Sequence, residues 1–199
     1  KNIDKAQRRF ENALKLAEDN MGQEHPFLAN CSQNLAMVYR FEGRSEEALV
    51  MMEKALRVFE KTKGPESIHA AAVLSNIAHI HMHTGDLAKA ENMLRRSKAI
   101  HTKILGEEHP ETAKVTHNLS MLLFKKGAQD EAIEMMRQSL LITEAKLGKS
   151  HPMTLTSLDN LAWFYKESGD LSKSTGISKE IESRKAKTKA TSPKNGCGR

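Results

Sequence analysis

The 199-residue chain has 39% hydrophobic and 5% aromatic residues and a formal charge of +6. This supports folding but suits an elongated, surface-rich molecule better than a compact globule. No apolar run approaches the ~20 residues that span a bilayer, and the two cysteines, Cys31 and Cys197, carry no paired spacing, which excludes a disulfide scaffold and points to a reducing compartment. The excess charge is local, because residues 179–199 contain most of it and the body is nearly neutral, so composition gives no case for nucleic-acid binding by the body.

The first 21 residues match the second helix of a hairpin alone, since Ala6 and Ala13 stand 42 positions before Ala48 and Ala55. The chain opens inside this pattern without an initiator Met, so it is expected to be a fragment whose targeting signal lies elsewhere. From there, glycines recur at 22, 64, 106 and 148 and again at 43, 85, 127 and 169, with no slip in either set. Between them run the columns Asn34, Asn76, Asn118, Asn160; Leu35, Ile77, Leu119, Leu161; and Ala36, Ala78, Ser120, Ala162. Self-similarity at a fixed period signals stacked supersecondary units. Each glycine ends a helix by adopting a left-handed conformation. His25-Pro26, His109-Pro110 and His151-Pro152 begin helices with Pro in the first turn, and Ser67 serves as N-cap in the second repeat.

The first helix is predicted over Pro26 to Glu42 and the second over Ser45 to Thr62, with equivalents 42, 84 and 126 residues on. Leu28, Ser32, Leu35 and Tyr39 share one face of the first helix, and the small pair Ala36 and Ala48 lets the two helices nest. The expected fold is all-α, an α-solenoid of stacked antiparallel helix hairpins. Its expected divisions are the second helix of a preceding repeat at 1–21, repeats at 22–63, 64–105 and 106–147, a fourth repeat with a degenerate capping helix at 148–178, and a basic, disordered tail at 179–199. The degeneracy is read from Ser174 in the small-residue column, Gly176 interrupting the helix, and the charged Glu180, Glu182, Lys185 and Lys187.

The run Asn34-Leu35-Ala36-x-x-Tyr39-x-x-x-Gly43, then Glu46-Glu47-Ala48 and Ala55-Leu56, resembles a tetratricopeptide repeat. The period and the linkers Leu105-Gly106-Glu107-Glu108-His109-Pro110 and Leu147-Gly148-Lys149-Ser150-His151-Pro152 resemble the kinesin light chain subgroup. The same linker occurs in nephrocystin-like, organellar and microbial repeat proteins. The resemblance implies a superhelix whose concave channel holds an extended segment of a cargo or regulatory protein. It also implies a cytoplasmic adaptor that reaches a kinesin heavy chain through regions absent here. The alternative is a structural scaffold or assembly factor within an organelle.

Opposite the packing face, each first helix carries a second stripe: Asn30, Asn34, Met37, Phe41; Ala72, Asn76, His79, His83; Lys114, Asn118, Met121, Lys125; Thr156, Asn160, Trp163, Glu167. Asn is a mediocre helix former, so four at one position need a reason. Either the amides hold the backbone of a bound peptide, or they form a ladder between neighbouring repeats. The expected peptide-binding residues are Asn30, Asn34, Met37, Asn76, His79, Lys114, Asn118, Met121, Lys125, Asn160 and Trp163. Arg40, Lys114, Lys125 and Lys166 against Asp159 and Glu167 favour an acidic segment. A chaperone-type carboxylate clamp is matched by Asn34, Asn76 and Lys114 but not by Asn30 and Asn118. His79 and His83 lie one turn apart without the further ligands zinc needs, so no metal or cofactor is expected. There is no phosphate-binding glycine loop, nucleophile elbow or H-E-x-x-H, so the chain reads as non-catalytic. Neither nucleic acid nor membrane is an expected partner, and the basic stretch Arg184-Lys185-Ala186-Lys187-Thr188-Lys189 reads as solubilising.

Overall fold

The computed structural model describes residues 2–22 and 24–191. It divides into two compact units, 1–106 and 107–199. The first holds α1 (Asn2–Met21), α2 (Pro26–Phe41), α3 (Ser45–Lys63), α4 (Ile68–Thr84) and α5 (Leu87–Leu105). The second holds α6 (Pro110–Lys125), α7 (Gln129–Leu147), α8 (Pro152–Glu167) and α9 (Leu171–Thr191). Helix is the only regular structure among the described residues, and each helix packs on the next within its unit.

Helix starts follow local chemistry. His25, His109 and His151 each occupy the N-cap and accept, through Nδ1, the N–H two residues on at 3.2, 3.1 and 3.2 Å. The His-Pro pair is therefore a two-part start signal, with the imidazole bonding one orphan donor and the proline removing another. Ser67 takes over this role in the second repeat, accepting from the Ala70 N–H at 3.2 Å. At the ends, the two glycine sets differ. Gly85 is left-handed (φ 89, ψ 0), whereas Gly64, Gly106 and Gly148 combine φ of 92, 87 and 95 with ψ of 152, 164 and 161. That second combination is essentially restricted to glycine, so the expectation of one left-handed conformation at both sets is corrected at these positions.

In the first unit, Ala36 and Ala48 are both fully buried, as the small pair requires, and join Met52, Ala55, Ile77 and Ile80 in one apolar cluster spanning α2, α3 and α4. Leu14, Ala17, Leu28, Cys31 and Leu35 form a second cluster between α1 and α2. A buried serine column ties hairpins internally: Ser97 Oγ donates to the Ala71 carbonyl at 2.7 Å, and Ser139 Oγ repeats this bond to Ala113 at 2.8 Å in the second unit.

Helix α9 departs from expectation. It runs through Gly176 without a break and continues to Thr191, because helical geometry is open to glycine at a modest cost in propensity. Ile181 and Arg184 are buried along it. Arg184 pairs with Glu144 and Glu180 at 2.5 Å each and donates to the Lys149 carbonyl at 3.1 Å. The tail expected from 179 is thus helical to 191, with Arg184 packed rather than solvated. Cys197 and the remainder of 192–199 lie outside the described residues.

Candidate functional site

The two faces of the first helices differ in exposure, most sharply on α2. On α2, Leu28, Ala29, Cys31, Ser32, Leu35 and Ala36 are buried, and burial pushes the Cys31 thiol pKa up. The opposite stripe is open to solvent: Asn30 and Asn34 are exposed, Met37 is 45% exposed and Phe41 79%. A large aromatic held out at that level on an ordered helix has no role in the core. Asn34, Met37, Val38 and Phe41 face Ile3, Ala6 and Phe10 of α1 across an apolar groove of about 520 Å³. Asn34 and Met37 belong to the binding set expected from the sequence, whereas Ile3, Ala6, Phe10, Val38 and Phe41 lie outside it. The half-buried state of Ala6, against the full burial of Ala48 in the same column, follows from packing and leaves no trace in the residue type.

On α4 the stripe is more covered. Ala72 and His83 are exposed, but Asn76 and His79 are half-buried, and His81 lies in the packing column at 7% exposure. Among the described residues no three His, Cys, Asp or Glu side chains gather to hold a metal ion.

In the second unit, Lys114 and Lys125 of α6 are exposed, while Asn118 and Met121 are half-buried. Lys114 is 3.4 Å from Glu111, so part of its charge is answered locally. On α8, Trp163 is 43% exposed. It rests on a two-ring support, with ring centres 5.0 Å from Phe124 and 5.6 Å from Phe164, which themselves stack in parallel at 4.1 Å. Backing of this kind fixes an aromatic anchor before any partner arrives. Asn160 behaves differently from Asn34: it is half-buried, and its Nδ2 donates to His117 Nε2 at 2.9 Å, while His117 Nδ1 donates to Ser157 Oγ at 3.1 Å. At this position the Asn amide is engaged between α8 and α6, with His117 rather than with the column member Asn118. His117 was missed because it stands where the other repeats carry Gln33, Ser75 and Asp159, a column with no shared chemistry to flag it.

Hairpins nested through paired alanines, closed by glycine and repeated at 42 residues define a helical-repeat scaffold. The tetratricopeptide repeat model matches residues 1–61 and 69–145, and the chain belongs to the tetratricopeptide repeat family. Its structure is similar to that of a Podosopora anserina protein designated a kinesin light chain with nearly identical TPR-like repeats (25% identity, 94% of this chain and 88% of that one, TM-score 0.75). BtubC (BKLC) of P. vanneervenii shares the fold at 24% identity over 96% of this chain and 76% of that one, with a TM-score of 0.82. MamA shares it more distantly, at 15% identity, 94% and 91% coverage, and a TM-score of 0.61. No curated protein sequence matches the chain significantly. Families of this scaffold mediate protein–protein contacts and are generally without enzymatic activity. No helix among the described residues is long and apolar enough to cross a membrane.

Proposed function

We propose that the chain is a non-catalytic adaptor that captures an extended, acidic segment of a partner protein along the solvent-facing stripes of its first helices. The observation that carries this reading is the stripe of α2, where Asn34, Met37 and the 79%-exposed Phe41 border an apolar groove. An amide beside apolar anchors suits a peptide, since Asn can give and take a backbone hydrogen bond while the groove accepts side chains. Within the second unit, Trp163 on its Phe124 and Phe164 support supplies an anchor of that unit's own, and the exposed Lys114 and Lys125 supply charge. Similarity to the Podosopora anserina protein designated a kinesin light chain supports reading the setting as cargo attachment in the cytoplasm, with a kinesin heavy chain as the further partner. The Asn160–His117 bond favours a second role for the column, in which the amides brace neighbouring first helices.

The test uses an array of extended acidic peptides with single aromatic or aliphatic residues. Wild-type protein is expected to bind a subset, and the triple variant Asn34→Ala, Met37→Asp, Lys114→Glu to lose it with helicity unchanged by circular dichroism. Equal binding by both proteins refutes the stripe as the site.

A further inference from the structure

Between α7 and α9 lies a second groove, built only from the second unit. Its floor is Leu158, Leu161 and Tyr165 of α8, its walls include Leu141 and Ile177, and its volume is about 400 Å³. The floor residues lie on the face of α8 opposite the stripe of Asn160 and Trp163, so this groove is separate from the site proposed above.

The groove exists because the chain breaks its own pattern there. Leu141 is 66% exposed, yet its column holds Lys15, Arg57 and Ala99 in the other second helices. Ile177 stands where Met51, Met93 and Met135 stand. In the first unit those long methionines fill the corresponding gap, Met51 against the Leu14–Leu28–Leu35 cluster and Met93 against Ala71, Leu74 and Ile100. Gly176 replaces Val50, Asn92 and Glu134. Glycine is a poor helix former, its backbone here is ordinary helix, and a Cβ placed on it meets nothing within 4 Å. Neither the backbone nor the packing of α9 calls for it. Gly176 lines the groove without putting a side chain into it.

Of the three charged side chains on the rim, one cation stands without an ion pair. Arg137 makes no ion pair among the described residues, Lys173 is held by Asp170 at 2.7 Å over the Tyr165 ring, and Glu180 is answered by Arg184 at 2.5 Å. An exposed guanidinium beside an apolar floor fits a carboxylate carried next to aliphatic side chains. From Lys173 to Glu180 the groove follows two turns of α9, about 10 Å, which matches two side chains one helical turn apart.

We propose that the α7–α9 groove docks a short acidic amphipathic helix of a partner protein, with two aliphatic side chains on Leu158, Leu161 and Tyr165 and a carboxylate on Arg137. The site accepts this partner independently of the first-helix stripes.

The probe is a fluorescein-labelled acidic peptide with leucine pairs one helical turn apart among glutamates, followed by anisotropy. Saturable binding is expected. Gly176→Met, which fills the groove and favours helix, and Arg137→Glu should each weaken it at least tenfold. The Asn34→Ala, Met37→Asp, Lys114→Glu variant should bind it as wild type does. Leu141→Lys, a residue type its own column already uses, provides a second groove variant if Gly176→Met loses helicity, with the same tenfold loss expected. Unchanged affinity in the groove variants, loss in the stripe variant, or a groove that takes up dodecanoate but not the peptide would each overturn the proposal.

Discussion

Hairpins α4–α5 and α8–α9 occupy the same repeat positions and solve the same packing problem with different materials. In α5 the buried row is Ala90, Leu94, Ser97, Ile100 and His101, all between 0% and 6% exposed. Its polar members are satisfied inside: Ser97 Oγ reaches Ser75 Oγ at 2.8 Å and the Ala71 carbonyl, and His101 Nδ1 lies 2.9 Å from the Ser97 carbonyl. In α9 the corresponding row is Ser174, Ser178, Ile181, Arg184 and Lys185. Ser178 and Lys185 are exposed, Ile181 is buried, and Arg184 replaces an aliphatic column of Val58, Ile100 and Ile142 with a paired charge. The repeat therefore fixes where a side chain must be covered, while the means of covering it varies from apolar filling to a salt-bridge cluster.

Removing the cluster should give the largest effect. Burial works to lower the Arg184 pKa, but the bonds to Glu180 and Glu144 outweigh it and hold the guanidinium above its ordinary value. Arg184→Ala strands the half-buried Glu144 and is expected to cost about 3–5 kcal/mol in urea unfolding. Amide exchange should rise along 178–191 and stay unchanged in α6. Arg184→Ile combined with Glu144→Gln, which restores the aliphatic column and leaves no stranded carboxylate under it, should be close to neutral, because a well-packed aliphatic often replaces a buried ion pair without loss. If this double variant is as damaging as Arg184→Ala, the two hairpins are not alternative solutions to one problem.

The helix ends sharpen the comparison at an intermediate size. Gly85 and Gly64 both have positive φ, but ψ is 0 at Gly85 and 152 at Gly64. An alanine tolerates the first at about 1 kcal/mol and pays about 2–3 kcal/mol for the second. Gly64→Ala should therefore lower the melting temperature at least twice as far as Gly85→Ala. Equal shifts would mean that the linker after α3 relaxes to a conformation open to other residues.

The 42-residue period makes most of this fold legible in the sequence alone. Helix starts and the Ala36–Ala48 nesting follow from single residues whose chemistry allows little else. Helix α9 was misread because Gly176 and Ser174 are weak local signals, and because Arg184 in a basic run looks solvated until Glu144, 40 positions away, is seen beside it. The candidate site was legible in part for the same reason. The exposed stripe follows from helical spacing, so Asn30, Asn34, Met37, Lys114, Lys125 and Trp163 lie at the surface as that spacing predicts. The groove partners Ile3 and Phe10 belong to a different helix, and the Asn160–His117 bond joins residues 43 apart. Periodicity gives the face a residue points to, and long-range packing decides what meets it.

The smallest predicted effect tests the feature that the two hairpins share. Asp86 and Asp170 cap α5 and α9, accepting the N–H of Lys89 and Lys173 at 3.2 and 3.0 Å while pairing with those same lysines' ammonium groups at 2.9 and 2.7 Å. In both, the lysine's side-chain bond first and its backbone bond second hold the carboxyl below its ordinary pKa. A carboxyl whose pKa is depressed on folding contributes stability that is complete above the ordinary aspartate range. That contribution is lost as the pH falls through this range to the depressed folded value. Asp86→Asn and Asp170→Asn should each lower the melting temperature at neutral pH by less than any substitution above, because asparagine still caps and exposed pairs are weakly coupled. The difference from wild type should vanish in acid and shrink in high salt. The two shifts should also match in size, since cap and lysine are the same in both hairpins. A markedly larger shift for Asp170→Asn would show that α9, buried at Ile181 and Arg184 among its described side chains, depends on its cap more than α5 does.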